Sequence, residues 1–406
     1  MSDTSERHRP IWMDVAAIGL LMTATLKIMA NATISPALPA LEESFAGEPG
    51  AAYMTRFLVS APSLTVVLVA PLAGIAADRY GRGPLLLAGV LLFVLAGTAG
   101  AYLPDLTSIL VSRLALGIAV ALTMTAQVAL VGDLFSGPQR SAFMGLQTTA
   151  INLCGLLFIG LAGYLAGLSP RLPFLVYGLP VLALPFLLTI HRREVRSGQT
   201  KTRKDEDGFS AVAKTHWLLP ALLVGALTTV TVMLFFLMPS QLPFYLAANG
   251  FDSASATAIG LGTLMLCGAA VAMTFKRLSE SLGLALTLAV GYALMASGFS
   301  VLAIKASWFF VLMGAGAIGA GYALVQPGFL SLALQVAPVE RRGSVSGIVT
   351  TSMFLGQVIS PLALTPFIQE FGFAFVYFGT SLSFVLLALA VVLPLLSRGR
   401  PQGETP

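Results

Sequence analysis

Twelve stretches of this chain are long and apolar enough to cross a lipid bilayer, and no other feature restricts its fold so severely. They lie near residues 12–38, 53–77, 84–103, 106–134, 141–167, 172–190, 216–246, 253–275, 283–304, 307–335, 343–369 and 373–397. A hydrocarbon core of ~30 Å takes roughly 20 helical residues to cross. Nine of the twelve stretches hold no Asp, Glu, Lys or Arg. In lipid every backbone amide must be satisfied within the protein, so such runs predict helices. Composition agrees: 56% of the 406 residues are hydrophobic and 10% charged, where a soluble domain carries about a quarter charged. The predicted fold class is an all-α membrane protein with twelve transmembrane helices. Pro62, Pro71, Pro180, Pro185, Pro239, Pro327 and Pro361 fall inside spans, where neighbouring groups can satisfy the carbonyls that proline frees.

Charge sets the expected orientation. With both termini cytoplasmic, eighteen Lys and Arg fall in cytoplasmic segments and three (Arg56, Arg171 and Lys305) on the other side. The reverse topology inverts this ratio, against the positive-inside rule. Arg7 and Arg9 precede an apolar stretch with no convincing cleavage pattern, which reads as an uncleaved first helix. The expected setting is a bacterial-type inner membrane. One long charged segment, His191–Lys214, divides the chain, so the expected domains are a six-helix half over 1–190, a flexible cytoplasmic linker over 191–215 and a second six-helix half over 216–406. The net charge of +5 sits in short loops, so no nucleic-acid partner is expected. Cys154 and Cys267 lie inside apolar runs, and His8, His191 and His216 have no ligand spacing. No metal, disulfide or cofactor is predicted.

The halves echo one another. Asp78-Arg-Tyr-Gly81 corresponds to Glu280-Ser-Leu-Gly283, and Arg140 with Gly145 to Arg342 with Gly347, both offset by about 202; Leu38-Pro39 corresponds to Leu242-Pro243 at about 204. Three matches in one order imply duplication, with a substrate site between the halves. The stretch GIAADRYGR, Gly74 to Arg82, resembles the loop between helices 2 and 3 of the major facilitator superfamily. Gly74, Asp78, Arg79, Gly81 and Arg82 match, and Gly83 replaces the last basic residue. Gly81 permits a tight reversal. Asp78 is expected to meet a helix N-terminus or a basic partner of the opposite half and latch one conformation. Arg113 in LVSRLALG is similar to the helix 4 arginine motif of many proton-coupled facilitators. GLLFIGLAGY, from Gly155, departs from the helix 5 exporter motif, with Ile159-Gly160 for Gly-Pro and Tyr164 for the last Gly. The resemblance implies two pseudo-symmetric six-helix bundles and transport by alternating access.

Two charges sit deep in spans, Lys27 and Arg113, and a buried charge is costly enough to mark an interior task. Thr23, Lys27 and Asn31 share one face of helix 1. All acidic residues fall in loops or at span ends, Asp14 and Asp133 lying nearest to helix interiors. Two cations without a buried anion point to an anionic, zwitterionic or neutral substrate, to struts bonded to carbonyls and amides, or to a Lys27 made neutral by desolvation. The expected substrate and proton cavity is Lys27, Asn31, Arg113, Gln127, Gln241, Tyr322 and Gln326. Asn152, Thr228, Thr229, Thr231 and Gln357 are further polar candidates, and Phe235, Phe236 and Met238 a possible apolar wall. The run GAGAIGAG, Gly314 to Gly321, follows no strand and reads as close helix packing.

These residues predict a monomeric secondary transporter, exporting small amphipathic organic molecules in exchange for protons. The alternative is an importer or exchanger of small organic anions. The chain offers no nucleophile–base pair for an enzyme, no loop long enough for a receptor module, and no phosphate-binding loop of the G-x-x-x-x-G-K-[S/T] kind.

Overall fold

The computed structural model describes residues 15–135, 137–189, 217–304, 307–336 and 342–398. Asp14 and the linker 191–215 lie outside the described residues. Ten spans stand out by length and hydropathy: α1 (Val15–Ser44), α3 (Arg82–Ala101), α4 (Leu106–Leu134), α5 (Thr149–Leu168), α6 (Leu172–Thr189), α7 (Leu218–Ala248), α8 (Ser253–Ala272), α9 (Leu284–Ile304), α10 (Trp308–Ala333) and a 46-residue stretch, Gly347–Val392. The bent pair Ala51–Phe57 and Ala61–Ala77, at 51°, forms α2. At 1.5 Å per residue the last stretch is about twice as long as the membrane is thick. It is a hairpin, reversed at Gly372 where φ is 81°, and its arms are α11 (342–371) and α12 (373–398). The expected twelve crossings are thereby accounted for.

Two cores follow the halves, with Phe354 of the second half packed into the first core and Ala32 and Ile159 of the first half packed into the second. The first joins residues of α1 to α6, among them Leu20, Phe93, Val120, Ala162 and Tyr177. The second joins α7 to α12 through Leu242, Tyr292, Phe299, Val325 and Phe384. On the outside, Leu68, Leu72, Ile75, Leu95, Phe375 and Phe378 are each more than half exposed. A large apolar surface of this kind needs an apolar solvent, which here is lipid.

The duplication is visible in the backbone. Gly81, ending α2, has φ 89°, and Gly283, at the corresponding junction before α9, has φ 78°. Both occupy a region open mainly to glycine. Gly50 and Gly250 repeat the pattern, at φ 77° and 79°, before α2 and α8. The first helices of the halves break alike: α1 passes through a 3₁₀ turn at Ser35–Ala37, and α7 breaks at Phe236. Prolines at 36 and 239 lie beside these breaks and cannot continue the amide ladder. The glycine run packs α10 closely against two neighbours. A Cβ on Gly314 would lie 2.9 Å from the Gly298 carbonyl oxygen of α9, and one on Gly319 2.7 Å from the Leu264 carbonyl carbon of α8.

Candidate substrate site at the seam between the halves

Where α1 and α2 face α11, the halves exchange polar and aromatic contacts. Asn31 Nδ2 donates to Gln357 Oε1 at 3.1 Å, and Ser63 Oγ of α2 donates to the same oxygen at 2.5 Å. One turn earlier on each helix, the Lys27 ammonium lies 5.4 Å from the centre of the Phe354 ring. Helical periodicity stacks these rungs, since residues three or four apart share a face. Lys27 is half-buried. Among the described residues no carboxylate comes within ion-pair distance of it; the ion pairs are Arg56–Glu42, Arg82–Asp133 and Lys276–Glu280. The seam can thus offer a cation, an aromatic face and amide groups to a guest.

The other predicted site residues lie within single halves. Arg113 has no solvent exposure. Its Nη2 donates to the Gly97 carbonyl oxygen at 2.6 Å, and its guanidinium lies 4.8 Å from the Phe174 ring and 4.5 Å from the Tyr177 ring. Nε and Nη1 have no hydrogen-bond acceptor. Gln127, also buried, donates from Nε2 to the Leu20 carbonyl oxygen at 3.3 Å, tying α4 to α1. Gln241 Nε2 donates to Thr365 Oγ1 at 2.9 Å between α7 and α11, and its Oε1 is unpartnered. The Tyr322 ring of α10 stacks on Phe235 of α7, with centroids 3.7 Å apart and planes inclined by 7°. Gln326, one turn further along α10, is exposed.

In the signature loop, the Asp78 side chain lies outside the described residues. Gly74 has open space around it, Arg79 is exposed with its guanidinium 5.5 Å from the Tyr80 ring, and Gly81 makes the expected reversal. Arg82 pairs with Asp133 of α4 within its own half and donates to the Ala129 carbonyl oxygen at 3.3 Å.

At the opposite end of the bundle, which carries Glu48, the halves are sealed. Ile34, Leu38, Phe45, Leu58 and Val59 pack with Phe236 and Phe244 of α7, and Phe373 of α12 closes the cluster. Ala37 and Ala166 pack against Ala254 of α8 beside it. Between the ends, α5 and α8 meet on small residues: a Cβ on Gly155 would lie 2.9 Å from Met265 Cε, and one on Gly262 3.1 Å from a Leu156 methyl group.

The sequence profile of the Major Facilitator Superfamily matches residues 20–275 and 242–406. The chain belongs to this superfamily. It is therefore a multi-pass membrane protein of a family of transporters and not of enzymes. Among superfamily relatives, the class C tetracycline resistance protein of Escherichia coli is 28% identical over 86% of this chain and 89% of its own length. Multidrug resistance protein 2 of Bacillus subtilis (strain 168) is 30% identical over 29% of this chain, and protein 1 of that organism 24% identical over 41%. The chain spans only 30% and 44% of the length of those two proteins. Among solved superfamily structures, a D-xylose-proton symporter superposes with a TM-score of 0.74 over 93% of this chain and 96% of that one, at 16% identity. The nucleoside transporter NupG (D323A mutant) does so with a TM-score of 0.73 over 93% and 99%, at 13% identity.

In the sequence Gln357 is one polar residue among several, and nothing marks Ser63 or Phe354. Arg56 counts by sequence among the loop charges, whereas the side chain is buried, with 9% of the residue exposed. Asn31 and Gln357, 326 positions apart, give no local signal of contact. The apolar length of the first half of α2 conceals that Arg56 points inward.

Proposed function

We propose that this protein is a secondary active transporter that exports small amphipathic organic compounds in exchange for protons, working by alternating access of the halves 1–190 and 216–406 about the linker 191–215. The observation that carries this reading is the Asn31–Gln357–Ser63 clasp above the Lys27–Phe354 contact. It is polar, sits where the halves meet, and rests on a few hydrogen bonds, each worth about 1 kcal/mol net. A guest that supplies equivalent donors, or an aromatic surface for Lys27, replaces these contacts at little cost and lets the halves part. The drug and tetracycline resistance relatives support export, and the excess of basic residues in the loops at the Gly81 end supports cytoplasmic termini in a bacterial-type inner membrane. The reading takes the protein as a monomer.

The test is proton-driven accumulation of fluorescent amphipathic dyes in everted vesicles. N31A and Q357A should each lower the rate at least about tenfold, equivalent to about 1.4 kcal/mol, with expression unchanged. Wild-type rates in both variants overturn the reading.

The unpaired ammonium of Lys27 supports a second reading, an exchanger of small organic anions. Thermal stabilisation of the wild-type protein by a panel of organic anions, lost in K27A, favours it. Stabilisation by neutral amphiphiles that survives K27A favours export of neutral compounds, with Lys27 a packing group.

A further inference from the structure

At the Glu48 end, an ion pair in the first half reaches across to the second. Glu42 lies in the last turns of α1 and Arg56 near the start of α2, with Oε1 and Nη2 3.7 Å apart. Arg56 is 9% exposed; its Nη1 donates to the Ala52 carbonyl oxygen at 3.3 Å, and its Nε has no acceptor. Its guanidinium lies 4.3 Å from the centre of the Phe244 ring, which belongs to α7 and to the apolar seal. Glu42 Oε2 is buried without a hydrogen-bond partner. The residue also borders an open cleft of about 520 Å³ lined by Glu42, Glu43, Glu48, Tyr53 and Phe244. The Glu42 side chain as a whole is 27% exposed, which leaves its carboxyl group open to solvent from the cleft, outside the seal.

We propose that Glu42 is a proton-exchange site, and that Arg56 converts its charge state into closure or opening of the Glu48 end. A guanidinium stays protonated throughout the accessible pH range, so the carboxylate is the member of the pair that changes charge. When Glu42 is ionised the pair is neutral, and Arg56 rests in the dry interface on Phe244. When a proton from cleft water binds a Glu42 oxygen, Arg56 is left as a buried cation without its counter-charge, a costly arrangement. The relief is for the guanidinium to swing into the water of the cleft, leaving Phe244. The seal then loses its cationic staple between the halves. The other groups facing Glu42 are Tyr53 from α2 and Glu48, whose carboxylate is occupied by the Leu106 amide at 3.3 Å. Phe244, the facing group from α7, carries no charge.

This inference assigns a residue to the proton exchange proposed above and rests on that reading, but its test needs no transport. The full chain, with Cys154 and Cys267 replaced by alanine, carries spin labels at Tyr102 and Phe309. Both positions are about two-thirds exposed, one near the Glu48 end of each half. Distances between the labels are measured in lipid nanodiscs without substrate, across pH. The expected result is a short distance at high pH and a longer one at low pH, the open-to-closed ratio changing by at most about tenfold per pH unit for one proton. E42Q should hold the long distance at every pH, and E42D should keep a titration with a displaced midpoint. E43Q should titrate as the wild type does. An E42Q protein that keeps the wild-type titration overturns the proposal, as does an E42D protein that loses it while its melting temperature is unchanged. Loss of dye export in N31A or Q357A leaves this titration untouched, so the two readings fail separately.

Discussion

Lys27 and Arg113 are both cations inside spans, but their surroundings differ. Arg113 is enclosed by Gly97, Phe174 and Tyr177 in the first half, and two of its nitrogens lack acceptors. Replacing an uncompensated buried charge by an apolar chain of similar volume is often neutral or stabilising. R113M should therefore melt within about 1 kcal/mol of the wild type, whereas R113A should lose about 3 kcal/mol through the cavity and the lost cation–aromatic contacts. Thermal denaturation in detergent checks both. An R113M protein that is stable but does not transport would give Arg113 a part in the transport cycle. A surface residue shows the opposite balance. Asp105 caps α4: its Oδ1 accepts from the Ser108 amide at 2.7 Å and its Oδ2 from the Ser108 hydroxyl at 2.7 Å. These bonds hold its carboxyl below the ordinary carboxylate value. A folded-state value lowered in this way adds stability above the unfolded-state value and loses it as pH falls through the folded one. D105A should accordingly melt below the wild type at neutral pH, and the two melting curves should converge in acid below the ordinary carboxylate range.

Among the elements, α10 and α7 decide the geometry of the second half. The glycine run from Gly314 to Gly321 brings α10 within backbone contact of α8 and α9, as its lack of side chains predicts. G319A would press a methyl group against the Leu264 carbonyl carbon, 2.7 Å away. It should destabilise the protein by about 1–3 kcal/mol, the usual cost of overpacking, whereas G74A, which meets open space, should be tolerated; paired thermal melts test the contrast. On α7, Phe235 stacks face to face on Tyr322, and a Cβ on Gly356 of α11 would lie 3.0 Å from the Met233 amide. The stacked pair is thus two residues from the segment that touches α11 just before Gln357. F235A should change the transported range, lowering export of planar aromatic dyes more than that of aliphatic amphiphiles, as parallel assays in everted vesicles would show.

For the whole molecule, the seal at the Glu48 end defines the state. Residues from α1, α2, α7 and α12 pack there into one apolar cluster, and Ala37, Ala166 and Ala254 continue it between the halves. If alternating access requires this seal to part, a disulfide across it should arrest the cycle. A37C/A254C, in a chain without Cys154 and Cys267, should cross-link under mild oxidation, lose transport, and recover it on reduction. Transport that persists in the fully cross-linked protein would show that this seam stays closed throughout the cycle.

The sequence alone determined the number of crossings, that they lie in a membrane, the family and the reversal at Gly81. Each of these is local: a span is a run of apolar residues, a reversal needs a residue free to take positive φ, and a signature motif is contiguous. It also picked out Lys27 and Asn31, because a charge or amide within an apolar run is conspicuous. The tertiary structure alone decided which polar residues meet. Asn31, Ser63 and Gln357 come from three helices and two halves, and helix periodicity does not specify the neighbour. It likewise turned Arg56 from an apparent loop charge into a buried group on Phe244, and kept Arg113 inside one half. Burial depends on how helices are rotated and crossed, and that is fixed by packing between segments hundreds of residues apart.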